Sequence, residues 1–237
     1  MIATNRKTAY EAVQTAYAQT MLTELQLDES KQCKVLEIGT GLTKVGKIEV
    51  THHMLNTEGQ STDFEYPNNS FDGVMLKSGF YKMDDPIHIF DEILRILKPG
   101  ARLTIIEPAI SLTSWAIYKF CKNVDVDMGI DPMLTPKEVS LQKQSRPNIA
   151  YLTVLFTRQE HRIQFMERFP DFNLIKRKWV GMFADPLSLG NSPYSLIPAK
   201  LVSCTLGIEE FLNPFVGRWL AHKMLITLKK SGAENNN

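Results

Sequence analysis

Hydrophobic residues follow a helical spacing in parts of this chain and form short apolar segments in others, and the two patterns predict an alternation of helices and strands. The first spacing is helical: after a capping-box pair at Thr8 and Glu11, apolar residues fall three or four positions apart as far as Leu25. Short apolar segments bounded by glycine, proline or asparagine then predict strands that start at Lys34 and cover 48–51, 73–77 and 102–107.

One helix is predicted between the last two of these strands. Asp85 and Pro86 supply an N-cap and a first-turn proline, and the Lys-Pro-Gly segment at 98–100 ends the helix. Asp91 and Arg95 are expected to pair across one turn. Strand, helix and strand in this order predict an α/β fold with a doubly wound, mostly parallel sheet.

The connection after the first strand is unusually short. The strand runs into Gly39-Thr40-Gly41, and residues 42–45 alone separate this turn from Gly46 and the second strand. A parallel crossover normally needs about a dozen residues or more, most often a helix. The helix expected after the first strand is therefore reduced or missing.

The second half of the chain completes this organisation. Helices are predicted to start at Thr135 and at Thr157, each followed by a glutamate at capping-box spacing, and strands are predicted at 174–180 and 221–228. The expected division is an N-terminal helix at 1–30, a ligand-binding half at 31–110, a substrate or lid extension at 111–230 that completes the sheet, and a disordered tail at 231–237.

Composition argues against several classes of function. The 237 residues carry 27 basic and 26 acidic side chains, so no field suited to nucleic acid is expected. No segment has the apolar length of a signal sequence or a membrane span, and a cytoplasmic protein is expected. Cys33, Cys121 and Cys204 are too far apart for a disulfide framework or a zinc cluster, and buried free thiols are expected.

The glycines at the end of the first strand are the strongest candidates for chemistry. Gly39 and Gly41 permit positive φ and a close approach of a ligand to the backbone, and Glu37 places a carboxylate just before them. A tight turn with no ligand is an equally simple interpretation of these residues alone. The segments further along the chain decide between the two.

Three segments in the right order resemble the class I S-adenosylmethionine-dependent methyltransferases. They are Val-Leu-Glu-Ile-Gly-Thr-Gly at 35–41, Tyr-Pro-Asn-Asn-Ser-Phe-Asp-Gly-Val at 66–74 and Ile-Leu-Lys-Pro-Gly-Ala-Arg-Leu at 96–103. The resemblance covers residues 34–110 and implies S-adenosylmethionine as the cofactor. It also implies a methyl acceptor, which we expect to be a small molecule such as a saccharide, a lipid-linked compound or a secondary metabolite. Whether a homodimer or a protein partner is involved stays open.

The resemblance also implies which residues meet the cofactor. Seven residues match, or stand nearest to, the positions at which the family contacts the cofactor, from its methionine part to its adenine: Glu37, Gly39, Thr40, Gly41, Glu49, Gln60 and Asp63. Lys77 and Ser78 match the region where the cofactor and the acceptor meet.

The chain departs from the family pattern at three positions. Thr43 stands where the family has a third small residue, and Thr51 or His52 occupies the place of an acid that binds the ribose, with Glu49 the nearest carboxylate. Gln60 replaces an acid that reads the adenine. The alternative is therefore a protein of this fold that has lost cofactor binding and acts as a partner protein, or that catalyses a non-methylating reaction.

The candidates for catalysis are His52, His53, Lys77, Ser78 and Tyr81. Either histidine can act as a general base because imidazole titrates near neutrality, although a solvated or packed histidine is the simpler interpretation. As strand neighbours the two histidines point to opposite faces and do not readily share a metal ion, so no metal site is predicted. The other three lie at or just after the end of the third strand, where the acceptor is expected.

Two further segments each have two interpretations. Trp115, Tyr118 and Phe120 either form the wall of the acceptor site or pack a helix, and packing is slightly favoured. The basic run from Lys176 to Trp179 is either an anion-binding surface or a solvated sheet edge, and the edge is favoured. The extension is expected to cover the ligand edge of the sheet and to give the acceptor a hydrophobic site.

Overall fold

Strands and helices alternate in the computed structural model, which describes residues 2–28, 30–39, 48–53, 63–83, 85–121, 126–142, 148–190 and 195–232. The strands are β1 (Lys34–Gly39), β2 (Glu49–His53), β3 (Phe71–Lys77), β4 (Leu97–Pro108), β5 (Phe172–Val180) and β6 (Lys223–Lys230). The helices are α1 (Ile2–Leu25), α2 (Pro86–Ile96), α3 (Leu112–Ala116), α4 (Pro136–Leu141), α5 (Tyr151–Thr157), α6 (Gln159–Arg168), α7 (Ala184–Leu187) and α8 (Val202–Leu220). Short 3₁₀ or π turns cover Phe80–Lys82, Ile117–Cys121 and Ala199–Leu201.

The six described strands form one sheet in the order β2-β1-β3-β4-β6-β5. The strands from β2 to β4 in this order are parallel, and β6 is antiparallel to both of its neighbours. From β1 the chain adds first β2 on one side and then β3 on the other, so a topological switch point lies between β1 and β3. The prediction of a doubly wound, mostly parallel sheet is confirmed.

Helices cover both faces of the sheet because its central strands are apolar on both sides. On one face Leu36, Ile38 and Leu76 pack with residues of α2, α5 and α6. On the other face Val35 and Met75 pack with α1 and with parts of α7 and α8. Since successive strand residues point to opposite faces, the result is a three-layer α/β domain.

Most local signals act as predicted. The carboxylate of Asp85 accepts the N–H of His88 at 3.1 Å and caps α2, and Thr135 and Glu138 form a reciprocal capping box at the start of α4. The strands β5 and β6 and the N-terminal helix are also present, but α1 begins at Ile2, so the predicted start at Thr8 and Glu11 is wrong. The turn at 40–47, where a reduced helix was expected, and the tail from 233 lie outside the described residues.

The end of α2 differs from the prediction. The segment 98–100 does not terminate the helix in a loop but lies inside β4, which begins at Leu97 directly after the helix. The predicted pair of Asp91 with Arg95 is also wrong. Arg95 binds Glu92 at 2.7 Å, since Glu92 is held at the buried side of the helix by the N–H of Phe64.

Three details of the second half of the chain also differ. Thr157 does not cap α6, because its hydroxyl donates to the carbonyl of Thr153 and Arg158 takes the N-cap position. Helix α8 has no counterpart in the sequence prediction. Cys33 is a buried free thiol as expected, but Cys204 is exposed because it lies on the outer side of α8.

The amino-terminal ends of three strands are tied together by Asp72. Its carboxylate accepts the backbone N–H of Lys34 at 2.9 Å and the ammonium group of Lys98 at 2.7 Å. Because these two residues belong to β1 and β4, which flank β3, one side chain fixes the relative positions of three parallel strands. The carboxyl-terminal ends of the same strands are held in a different way.

At those ends the backbones of β1 and β3 come unusually close. Gly39 closes β1 with a φ of +123° and lies in register with Lys77. A Cβ atom at position 39 would overlap the carbonyl oxygen of Lys77. This position therefore requires glycine for both its backbone conformation and its surroundings.

We predict that Gly39→Ala lowers the free energy of unfolding by about 3 kcal/mol or more, because the new methyl group must push β1 and β3 apart. Gly100→Ala is the matched control: its φ is +80°, but an added Cβ meets nothing within 4 Å. We expect the control substitution to lower the free energy of unfolding by about 1 kcal/mol, which is the cost of the positive φ alone. Urea unfolding of both variants measures the difference, and equal costs would contradict the assigned overlap.

Candidate functional site

The carboxyl-terminal ends of β1, β3 and β4 lie side by side at one edge of the sheet. Gly39 is in register with Lys77, and Lys77 is in register with Ile106 of β4, so that Glu107 follows one residue further out. This edge borders the switch point between β1 and β3. Open α/β sheets bind their ligands in such a crevice.

Glu37 and Lys77 place opposite charges on the same face of this edge. Both side chains are buried, and one carboxylate oxygen of Glu37 lies 3.1 Å from Nδ1 of His52 on the neighbouring strand β2. Burial lowers the pKa of Lys77, and the charge of Glu37 opposes that shift. Buried charges at a ligand-binding edge are a mark of functional sites.

The residues that follow β3 turn sharply away from the sheet. Ser78 has a φ of +56°, a backbone conformation that is unfavourable for residues other than glycine. Its N–H donates to the carbonyl of Ile106 at 3.3 Å. Tyr81 follows in the 3₁₀ turn, where burial and then the charge of Glu107 raise the pKa of its hydroxyl. Tyr81 is thus expected to stay protonated and to donate hydrogen bonds.

Glu107 is a further candidate site residue, which the sequence reasoning did not identify. It is buried at the end of β4, and its Oε1 atom accepts the N–H groups of Gly79 at 2.7 Å and Phe80 at 3.0 Å. Its Oε2 atom has no hydrogen-bond partner within the described part of the chain. Burial raises the pKa of Glu107 to about 7, although the two N–H groups act in the opposite direction. The available signal was an acid at the end of an apolar strand, just before a proline.

The remaining sequence candidates fall in different places. Glu49 begins β2 and is in register with Lys34, so it lies at the opposite edge of the sheet from Gly39. Asp63 is largely exposed and binds Nε2 of His88, in the first turn of α2, at 2.7 Å. His53 lies in register with Ile38 at the end of β2, and its side chain is outside the description. Thr40, Gly41 and Gln60 also lie outside the described residues.

A second polar group lies beneath α1. The ammonium group of Lys223 binds Asp185 at 2.9 Å and sits 4.9 Å from the centre of the Tyr17 ring. Burial, followed by the charges of Asp185 and Glu209, raises the pKa of the Tyr17 hydroxyl. Because Lys223 also acts on the pKa of Lys77 and Glu107, this group belongs to the electrostatic surroundings of the site.

An open cavity of about 620 Å³ lies beyond the end of β4. Its lining comprises Ile110, Ser111, Leu112, Trp115, Met128, Thr153, Thr157, Arg158, Arg177, Trp179, Arg218 and Trp219. Tyr118 is buried, as the packing interpretation requires, but Trp115 and Phe120 are exposed, so packing is wrong for these two.

The edge position of β5 is confirmed, with Lys176 and Lys178 paired to Glu24 and Glu210. No group of three or more metal-ligating side chains occurs among the described residues.

The raised pKa of Glu107 gives a prediction for stability. Between the ordinary pKa of 4.5 and the folded value of about 7, the folded state holds a proton that the unfolded state has lost. The unfolding free energy of the wild type, minus that of Glu107→Gln, should therefore fall by about 3 kcal/mol as the pH rises from 4.5 to 7. Taking the difference cancels the pH-dependent contributions of the carboxylates that both proteins share.

Denaturant unfolding of both proteins at a series of pH values measures this difference. The amide of Glu107→Gln keeps a carbonyl oxygen that can accept the same two N–H groups, so the variant is a matched control for the turn at 78–80. A difference that stays constant, or that rises with pH, would show that Glu107 is ionised throughout.

Comparison with known proteins agrees with this geometry. A family model described as a methyltransferase domain matches residues 8–105. The demethylmenaquinone methyltransferase of Listeria monocytogenes serotype 4a (strain HCC23) is 32% identical over 76 residues, which are 30% of this chain and 32% of that protein. The protein of the same description from Clavibacter sepedonicus is 34% identical over 74 residues, 31% of this chain and 28% of that one. The matched region thus spans less than a third of the length of either relative.

Among solved structures, a SAM dependent methyltransferase from Archaeoglobus fulgidus superposes with a TM-score of 0.49 at 15% identity, covering 92% of this chain and 93% of that one. The fold itself is defined by the strand order and by the antiparallel β6 next to the last parallel strand. Residues 8–105 thus resemble a methyltransferase domain, and the mixed α/β sheet is the fold that the resemblance to class I S-adenosylmethionine-dependent methyltransferases implies.

Proposed function

We propose that this protein transfers a methyl group from S-adenosylmethionine to a small-molecule acceptor. The observation that carries the proposal is the close approach of Gly39 to Lys77 at the switch point, with the buried carboxylate of Glu37 beside it. This arrangement lies inside the segment that matches the methyltransferase domain. Site geometry and the match to that domain therefore support the same reaction.

The residues at this edge suit the cofactor. Gly39 itself carries no side chain that could obstruct a ligand, and a carboxylate at Glu37 can accept from the ammonium group of the methionine part. One oxygen of Glu37 lies against His52 of β2, and a carboxylate can accept more than one hydrogen bond. Glu49, at the opposite edge, is not suited to the ribose. His52, at the carboxyl-terminal end of β2, is the polar side chain that we assign to that side.

When bound, S-adenosylmethionine supplies an electrophilic methyl group. The chain then has to orient an acceptor, and orientation supplies much of the rate of such a displacement. We assign this role to the turn after β3, where Ser78 holds a left-handed backbone and Tyr81 offers a protonated hydroxyl. Glu107 acts as a positioning residue, because its carboxylate accepts hydrogen bonds from the N–H groups of Gly79 and Phe80.

The acceptor is proposed to be a quinone-type ring compound. Two observations support this choice: the relatives are described as demethylmenaquinone methyltransferases, and aromatic side chains line the cavity beyond β4. A flat, apolar ring suits such walls, and apolar lining is typical of small-molecule sites. Burial and then nearby charges, that of Glu107 among them, raise the pKa of the hydroxyls of Tyr81 and Tyr118, so both lie within electrostatic reach of Glu107.

Ligand binding tests the cofactor assignment. At about 100 times its dissociation constant, S-adenosylhomocysteine should raise the free energy of unfolding by about 2.7 kcal/mol. Glu37→Gln should weaken its binding by about tenfold or more, because a hydrogen bond to a charged group is lost. Glu49→Gln is the matched control and should bind like the wild type. Thermal shift with titration calorimetry measures both, and equal loss in both variants would contradict the assigned edge.

Methyl transfer tests the reaction class. With S-adenosylmethionine labelled in its methyl group, the label should pass to a reduced quinone acceptor and be recovered in an organic extract. Tyr81→Phe should lower kcat more than it weakens cofactor binding, since the tyrosine is assigned to the acceptor. Cofactor binding without label transfer to any small molecule would favour a non-methylating reaction, whereas absence of cofactor binding would favour a partner protein with this fold.

A further inference from the structure

Helix α8 carries large apolar side chains on the side that faces away from the domain. Its inner side faces the domain through Val202, Leu206, Glu209, Asn213 and Gly217. Its outer side carries Ile208, Phe211, Phe215 and Trp219, each at least half exposed. A surface helix normally carries polar residues on its outer side. The outer side of α8 is therefore an unpartnered apolar surface.

Polar contacts hold α8 in this orientation. The carboxylate of Glu209 accepts the N–H groups of Phe183 at 2.7 Å and Ala184 at 2.5 Å. The side-chain amide of Asn213 donates to the carbonyl of Trp179 on β5. Because these buried contacts would be lost if the helix turned, its outer apolar side stays exposed to solvent.

The exposed surface continues onto α3 and the turn after it. The hydroxyl of Thr113 donates to the carbonyl of Leu220 at 3.0 Å and joins the two helices. We define the aromatic patch as the exposed apolar residues of both segments, namely Leu112, Trp115, Phe120, Ile208, Phe211, Phe215 and Trp219. Its most exposed members are Phe120, Phe211 and Phe215, with 77%, 75% and 73% of their surface open to solvent.

Three arginines border the aromatic patch. Arg158, Arg177 and Arg218, which we call the arginine cluster, line the 620 Å³ cavity together with the tryptophans of the patch. Desolvation in the cavity, and then the charges of Arg162 and Arg218, lower the pKa of Arg177. None of the ion pairs between described residues involves the arginine cluster, and the nearby acid Glu210 is bound to Lys178. The cluster thus leaves positive charge beside the apolar surface.

We propose that the aromatic patch and the arginine cluster dock the protein on the surface of an anionic lipid bilayer. Aromatic side chains next to basic ones suit this interface, because the rings enter the headgroup region and the guanidinium groups meet lipid phosphates. No helix among the described residues is long and apolar enough to cross a membrane, so the contact is peripheral.

A second copy of this chain is a less favourable occupant of the same surface. Around a two-fold axis the surface would meet itself, and the two arginine clusters would enter one interface. Like charges without acidic partners repel there. An anionic bilayer instead supplies the opposite charge along the whole border of the patch.

Docking of this kind would turn the ligand edge of the sheet toward the bilayer. The cavity lining includes Ile110 and Ser111, which follow directly after the carboxyl-terminal end of β4. An apolar compound held in the bilayer would thus meet this end of the sheet without crossing bulk water. Membrane binding goes beyond the proposed methyl transfer and can be measured without any cofactor or acceptor.

Vesicle binding tests the proposal, and the chain carries its own probe. All three of its tryptophans, Trp115, Trp179 and Trp219, line the cavity, so tryptophan emission reports on this surface alone. The full chain should co-sediment with vesicles of phosphatidylcholine and phosphatidylglycerol, with blue-shifted emission that brominated lipids quench. Vesicles of phosphatidylcholine alone should bind it far more weakly, and added salt should release it.

Variants separate the apolar and the electrostatic contributions. Phe211→Ser with Phe215→Ser should lower the partition coefficient by about tenfold or more, and because both rings are exposed the thermal stability should be retained. Arg177→Gln with Arg218→Gln should lower it by about 25-fold, a factor of about five for each charge. The matched controls are Ile163→Ser, on an exposed residue of α6, and Arg168→Gln, whose arginine is paired with Asp91.

The outcomes decide between the occupants. Absence of binding to the anionic vesicles at physiological salt, or equal binding by the patch variants and the controls, would overturn the proposal. A concentration-dependent dimer that the phenylalanine double variant dissociates, with vesicle binding unchanged, would assign the surface to a second copy instead. Because these measurements need no methyl transfer, they test the membrane proposal whether or not the activity assay succeeds.

Discussion

The close contact between the backbones of β1 and β3 organises this molecule. Gly39 lies against the carbonyl of Lys77, so the two strands end side by side with no side chain between them. Because both strands are parallel and adjacent to the switch point, everything that follows them is delivered to one edge. The left-handed Ser78 and the turn that Glu107 fastens depend on that position.

The two edges of the sheet are built according to different requirements. At the amino-terminal edge Asp72 is paired with Lys98 and with a backbone N–H, which stabilises three strands. At the carboxyl-terminal edge Lys77 and Glu107 are buried, and burial shifts the pKa of each toward its neutral form. Buried groups of this kind cost stability unless they are fully paired. Their presence at the ligand edge is the physical reason for placing the chemistry there.

Much of the fold could be predicted because its signals are local. Asp85 with Pro86, and Thr135 with Glu138, mark helix starts through contacts within one turn, and the apolar strands of the sheet are equally local. Helix α8 could not be recognised in this way, because its exposed side is apolar, its buried side includes Glu209, and Pro214 stands inside it. Whether an apolar side chain such as Phe120 is covered depends on a partner surface, and no spacing along the chain contains that information.

The candidate site was predictable in part for the same reason. Glu37 and Gly39 were predicted from their place at a strand end, where parallel sheets bind ligands, and Lys77 from the family resemblance; the register places Gly39 beside Lys77, while the binding roles stay predictions. Glu107 was missed because its importance comes from burial and from N–H groups of another strand's turn. Glu49 was placed at the site because it is near His52 in sequence, yet the strand between them separates the two edges of the sheet.

The central claim is that the edge formed by Gly39, Glu37 and Lys77 holds the cofactor. A crystal structure with S-adenosylhomocysteine tests it most directly. The account predicts the methionine part of the ligand over Gly39, with its ammonium group at the carboxylate of Glu37 and its sulfur facing the turn that begins at Ser78. A ligand bound elsewhere on the chain, or an edge closed by side chains at a saturating ligand concentration, would contradict it.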